Sequence, residues 1–191
     1  MYHGDEGAMV SEDFAKFVES QQAADVDTDI NWSDTRDEWL KDLDDLYQKI
    51  VEFLQEYIAN HSITYSFTAI DLTEENIGTY SAKRMDIKIG RQIVSLVPVG
   101  TVLIGCRGRV DVEGAAGTGH MLLVNKKARN AADLVRVAAT VITKGAVPAL
   151  PSAAQEPIMW VWRIVTNAVQ KVFEDLNKES FLRLVLEIAN A

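Results

Sequence analysis

Cysteine is almost missing from this sequence. Cys106 stands alone among 191 residues, which excludes a disulfide framework within the chain. Histidine is nearly as scarce: His3, His61 and His120 are far apart, no two stand at i, i+4 or in any other zinc-type pairing, and one cysteine cannot complete such a set. There is no Gly-x-Ser-x-Gly elbow, and Cys106 lies between Gly105 and Arg107 with no histidine beside it, so nucleophilic catalysis finds no motif. Long apolar runs are lacking too. The central uncharged stretch from Gln92 to Cys106 is broken by Ser95, Pro98, Gly100 and Thr101 and falls short of the roughly 20 residues of a spanning helix. The first twenty residues hold five acids, one lysine and no apolar core, unlike a secretory signal. These absences predict a cytoplasmic chain with no membrane segment and a buried, reduced Cys106.

What is present is a folded composition, 48% hydrophobic and 25% charged, with a lopsided charge layout. Residues 1–60 carry 16 acids and 4 bases, a net of −12; residues 61–191 carry 12 acids and 15 bases, a net of +3. Such asymmetry points to an acidic element that meets a basic one, inside or outside the molecule. Residues 1–32 read as an acidic, flexible N-terminal arm, and residues 33–191 as a single α+β domain. A chain of this length can bury roughly 70% of its unfolded surface, enough for its own core.

Within that domain the helical period appears first. Thr35 and Glu38 have capping-box spacing. Trp39, Leu43, Leu46, Ile50, Phe53 and Tyr57 then recur at alternating steps of four and three, one apolar stripe on a helix spanning 35–60. From Ile63 the period becomes two: Ile63, Tyr65, Phe67 and Ala69 alternate with Thr64, Ser66 and Thr68, as in a half-buried strand. Asp71–Ala82 reads as a connector. Met85–Ile89 and Ile93–Val97 flank a Gly90-Arg91 turn, and Val102–Glu113 reads as a long or bulged strand. Gly114–Gly119 reads as a loop before the strand Met121–Val124. Asn130 is placed to cap a segment over 131–144, and Pro148, Pro151 and Pro157 fall in one loop. Ile158–Val165 reads as a last, well-buried strand. Two helices are expected after it, from Asn167 to about Leu176 and from Phe181 to Ile188. The fold expected is therefore an antiparallel sheet of five to six strands packed by one long N-terminal amphipathic helix and two C-terminal helices. Short connections favour antiparallel pairing because parallel pairs need long crossovers.

The most unusual line is Arg107-Gly108-Arg109-Val110-Asp111-Val112-Glu113. On a regular strand Arg107, Arg109, Asp111 and Glu113 share one face, with Cys106, Val110 and Val112 on the other. Two carboxylates beside two guanidiniums suit a divalent cation or a phosphate ligand, and hairpin pairing brings His120 near Asp111 and Glu113. The plainer reading of the same residues, and the one surface charges usually bear out, is a solvated face with cross-strand ion pairs. The Glu-x-Lys spacing of restriction-type nucleases is missing. Gly114–His120 shares glycine content with a P-loop, but His120 replaces the phosphate-binding lysine and a strand follows it.

Nine bases, Lys83, Arg84, Lys88, Arg91, Arg107, Arg109, Lys126, Lys127 and Arg129, would form one patch for nucleic acid if their strands were neighbours. No aromatic lies between Lys83 and Arg129 to stack a base. Trp160 and Trp162 share a face of an apolar strand. The helix stripe Trp39–Tyr57 offers a partner or homodimer seam, or simply covers the sheet. The sequence thus leads to a non-enzymatic interaction protein of bacterial type, without cofactor or metal, whose acidic arm and helix engage a basic partner. The alternatives are a phosphate-ligand or metal-dependent enzyme centred on Arg107–Glu113, and nucleic-acid binding through the basic strands.

Overall fold

A computed structural model describes residues 31–101, 106–130, 133, 159–166 and 172–189. The first 30 residues of the acidic arm lie outside the described residues, as do the segment 134–158 with its three prolines and the connection 167–171.

Helix α1 runs Trp32–Ala59, beginning before the Thr35 capping position, and buries Trp39, Leu43, Leu46, Tyr47, Ile50 and Leu54. It ends because His61 turns into the left-handed region at φ 61°. The Ser62 N–H then donates to the Tyr57 carbonyl at 2.9 Å and the His61 N–H to that of Ile58 at 3.0 Å, which satisfies carbonyls that have no intrahelical partner.

Seven strands follow among the described residues: β1 (Ile63–Glu74), β2 (Gly78–Ile89), β3 (Gln92–Gly100), β4 (Cys106–Gly114), β5 (Gly117–Asn125), β6 (Trp160–Val165) and β7 (Phe173–Asp175). They form one sheet in chain order, antiparallel throughout. Helix α2 (Lys178–Ala189) closes the described chain. An α+β fold on an antiparallel sheet is thus what the chain forms, and several details differ from the sequence reading. The Asp71–Ala82 connector is the end of a long hairpin: β1 and β2 pair from Ile63↔Ile89 to Glu74↔Gly78. Gly114–Gly119 is not a loop but the two-residue turn Ala115–Ala116 with strand on either side. The segment read as a helix through Leu176 contains β7, whose Phe173–Asp175 pair with Arg163–Val165. Only one C-terminal helix is therefore present among the described residues. Its true start is Asn177, whose side chain accepts the Ser180 N–H at 3.0 Å while Ser180 Oγ accepts the Asn177 N–H at 3.0 Å. Leu176 before this cap and Phe181 after it both enter the core. Strand β6 is mostly half-buried, with Ile164 alone fully inside.

Both helices lie on one face of the sheet. Trp39, Leu43, Leu46 and Ile50 of α1 and Phe181, Leu184, Val185 and Ile188 of α2 share a core with Met85, Ile87, Val94, Leu96, Val110, Val112 and Met121. Phe53 and Phe181 join the two helices, with ring centroids 6.3 Å apart. Glycine makes the approach possible. A Cβ on Gly108 would collide with the Trp39 ring, and one on Gly119 with Leu184. The opposite face carries a smaller cluster, Cys106, Val124, Ala128 and Phe173, and beside it a strip of charged side chains.

Strand β1 is at the edge and is less covered than its alternation suggests. Ile63 alone is buried; residues 64–69 are all exposed. At its far end Glu74 ties three strands together. Its carboxylate accepts the Thr101 N–H and hydroxyl, each at 2.8 Å, and the Tyr80 hydroxyl.

Candidate functional site

The Arg107–Glu113 strand does not keep one face. Its pairing with β5 jumps from Cys106↔Val124 to Gly108↔Leu123, so Arg107 is the extra residue of a bulge. Cys106 therefore sits in the apolar cluster on the face of Arg109 and Asp111, not with Val110 and Val112. Burial pushes its thiol up to about 11. Arg107 swings to α1, 2.7 Å from Glu38 and 2.9 Å from Asp42, with its guanidinium 5.8 Å from the Trp160 ring centroid. Burial raises the Asp42 carboxyl above its ordinary range, and the Arg107 charge opposes that shift.

Three of the five residues do converge. Arg109 grips Asp111 with two parallel hydrogen bonds, Nε to Oδ1 at 2.6 Å and Nη2 to Oδ2 at 2.8 Å. This bidentate contact holds the guanidinium more firmly protonated than usual. His120, paired with Asp111 across β4 and β5, places Nδ1 2.8 Å from the same Oδ1. A carboxylate accepts only, so in this contact Nδ1 is the donor. Glu113 is exposed further along the strand, paired with Ser95 and Thr118, and stands apart from the triad.

A second polar group on the same face was not singled out by sequence: Asp86 accepts Arg84 Nε at 2.8 Å and the Ser95 hydroxyl at 2.6 Å. Its signal was available. A two-residue turn at Gly90-Arg91 sets the register that faces Asp86 with Ser95. The basic residues, by contrast, do not share one face. Lys83 meets Asp44 on α1 at 2.8 Å, Arg107 also turns to α1, and Arg84 and Arg109 lie on the opposite face against their own aspartates.

The apolar stripe Trp39, Leu43, Leu46 and Ile50 is buried on the chain's own sheet, with Phe53 and Tyr57 half-buried at its end. Facing outward, α1 exposes Asp34, Asp37, Glu38, Asp44, Asp45, Glu52 and Glu56, against two exposed bases, Lys41 and Lys49.

One cleft of about 610 Å³ opens where β5 and β6 part company. Their ladder stops at Met121↔Ile164. Beyond it, Thr118, Gly119 and His120 line the cleft with Phe173 and Glu174 of β7 and with Arg183, Leu184 and Glu187 of α2. Arg183 is paired with Glu174. Among the described residues no three His, Cys, Asp or Glu side chains gather as metal ligands do, and no helix is long and apolar enough to cross a membrane. Set against known protein families, curated proteins and solved structures, the chain matches none.

Proposed function

We propose that the protein is a cytoplasmic, non-enzymatic accessory protein that binds a partner with a basic surface through the acidic face of α1 and the acidic arm before it. The observation that carries this reading is the division of labour on α1. The helix spends its apolar stripe on its own sheet and turns seven carboxylates outward. Part of that charge is met within the chain, by Lys83, Arg107 and Lys178, while Asp45 and Glu52 project from the exposed face. A fixed anionic ridge of this kind raises encounter rates with a cationic surface and makes the complex salt-sensitive. The test is affinity capture with the full chain against the Asp45→Lys, Glu52→Lys double variant and a form lacking residues 1–30. Loss of the same basic protein from both variants, and from the native chain at high salt, is the expected result. Equal recovery by all three forms at physiological salt overturns the proposal.

A second reading, a small anionic or phosphate-bearing ligand, draws support from one observation: His120, fixed by Asp111, lines the 610 Å³ cleft. A rise in melting temperature with nucleotides or inorganic phosphate, abolished by His120→Ala, would favour it. No shift with any of them removes it.

A further inference from the structure

The two edges of the sheet are treated in opposite ways. The β7 edge is three residues long and carries Glu174 and Asp175, the short and charged kind of edge that resists pairing with other chains. The β1 edge is twelve residues long. From Ile63 to Ile70 it has no charged side chain and no proline or glycine, and β-branched or aromatic residues dominate it. Residues 64–69 are exposed one after another, on both sides of the strand, so among the described residues nothing covers this edge. Tyr65 is 39% and Phe67 46% exposed, although both are large apolar rings. They lean on each other at 5.7 Å, and Phe67 rests on the buried Tyr47 of α1 at 5.4 Å, leaving two aromatic rings open to solvent on a fixed base.

The sequence of this edge also reads almost the same in both directions about Ser66: Thr64-Tyr65-Ser66-Phe67-Thr68. A twofold axis between two identical antiparallel strands sets residue i of one copy against residue j of the other and the reverse, so this near-symmetry pairs like with like. We infer that two copies of this chain associate edge to edge through β1, with Ser66 facing Ser66 on the twofold axis and the two seven-stranded sheets continuing into one. In this register Tyr65 of each copy lies opposite Phe67 of the other, and Thr64 opposite Thr68. Aromatic and threonine pairs are among the favourable cross-strand neighbours, and the exposed rings of Tyr65 and Phe67 from both copies close over the junction. No charge is buried, since Arg84, Asp86 and Lys88 lie one strand inward, on β2.

The test is the native mass together with site-directed cross-linking. Light scattering of the full chain should give twice 21.2 kDa at high concentration, falling toward the single-chain value on dilution. Ser66→Cys should form a disulfide-linked dimer on exposure to oxidised glutathione. Thr64→Cys should not, because its two copies lie about 13 Å apart in this register. Cys106 does not interfere, being buried. Ser66→Lys, which places two like charges on the axis, should lower association at least tenfold while leaving the melting temperature of the single chain unchanged. A single-chain mass at every concentration overturns the inference. So does a dimer that Ser66→Lys leaves intact, or one in which Thr64→Cys links as readily as Ser66→Cys.

Discussion

The ring of Trp39 lies directly on Gly108, in the space where any other residue of β4 would carry its Cβ. This contact sets how closely α1 approaches the sheet, and it adjoins the bulge that turns Arg107 toward the helix. Gly108→Ala must therefore either push Trp39 outward or bend β4. Overpacking of this kind costs roughly 1–3 kcal/mol, and urea unfolding should show the loss as a lower midpoint with an unchanged slope.

Glu74 gathers donors from β2 and from the end of β3. Glu74→Ala leaves the Thr101 N–H, the Thr101 hydroxyl and the Tyr80 hydroxyl without their acceptor. Stranded polar groups cost about 1–3 kcal/mol. Tyr80→Phe removes one donor and leaves the carboxylate its other two, so its effect should be the smaller. Thermal melts of the two variants side by side check the order.

Tyr47 and Tyr80 set the alkaline limit of the fold. Burial raises both hydroxyls well above the ordinary tyrosine value, reinforced at Tyr80 by the hydrogen bond to Glu74 and at Tyr47 by the nearby Asp44 charge. For an acid raised on folding, stability is fully present below the unfolded value, about 10, and is lost as pH climbs toward the folded one. The chain should therefore begin to destabilise above about pH 10. In a spectroscopic titration at least two of the five tyrosines should ionise together with unfolding rather than before it.

Cys106 should be chemically quiet. Its thiol, raised to about 11 by burial, is almost wholly protonated at neutral pH, and the thiolate is the reactive form. Alkylation should be slow in the native chain and rapid in denaturant. Fast native alkylation would mean that the cluster of Cys106, Val124, Ala128 and Phe173 opens readily.

The parts of this fold that were legible in the sequence are those where a local pattern and the tertiary arrangement agree. The Trp39–Tyr57 stripe is a helical face because its spacing keeps it on one side, and the sheet needs such a cover. The Gly90-Arg91 turn fixes its own register. The seventh strand was not legible: Phe173–Asp175 is too short to show a period, and it is a strand only because β6 offers it a partner. The bulge at Arg107 was equally invisible, since alternation in Cys106–Glu113 continues unbroken in sequence while the pairing skips a residue. That skip separates Arg107 from Arg109 and places Cys106 on the opposite side from the one its spacing implies. Arg109, Asp111 and His120 could be brought together by hairpin symmetry alone, whereas the cleft beside His120 depends on where β5 and β6 diverge, which no local pattern records.

Because the strands lie side by side in the order in which they are made, β1 to β5 can zip up as successive hairpins while the ribosome is still at work. α2 is synthesised last among these elements, yet it shields Val110, Val112 and Met121 in the middle of the sheet. Until Phe181 and Leu184 emerge, the half-built layer must expose that greasy centre alongside its unguarded first strand. The nascent form therefore bares more apolar surface than the form with α2 in place, and that twelve-residue helix is what covers the centre of the sheet, though not β1.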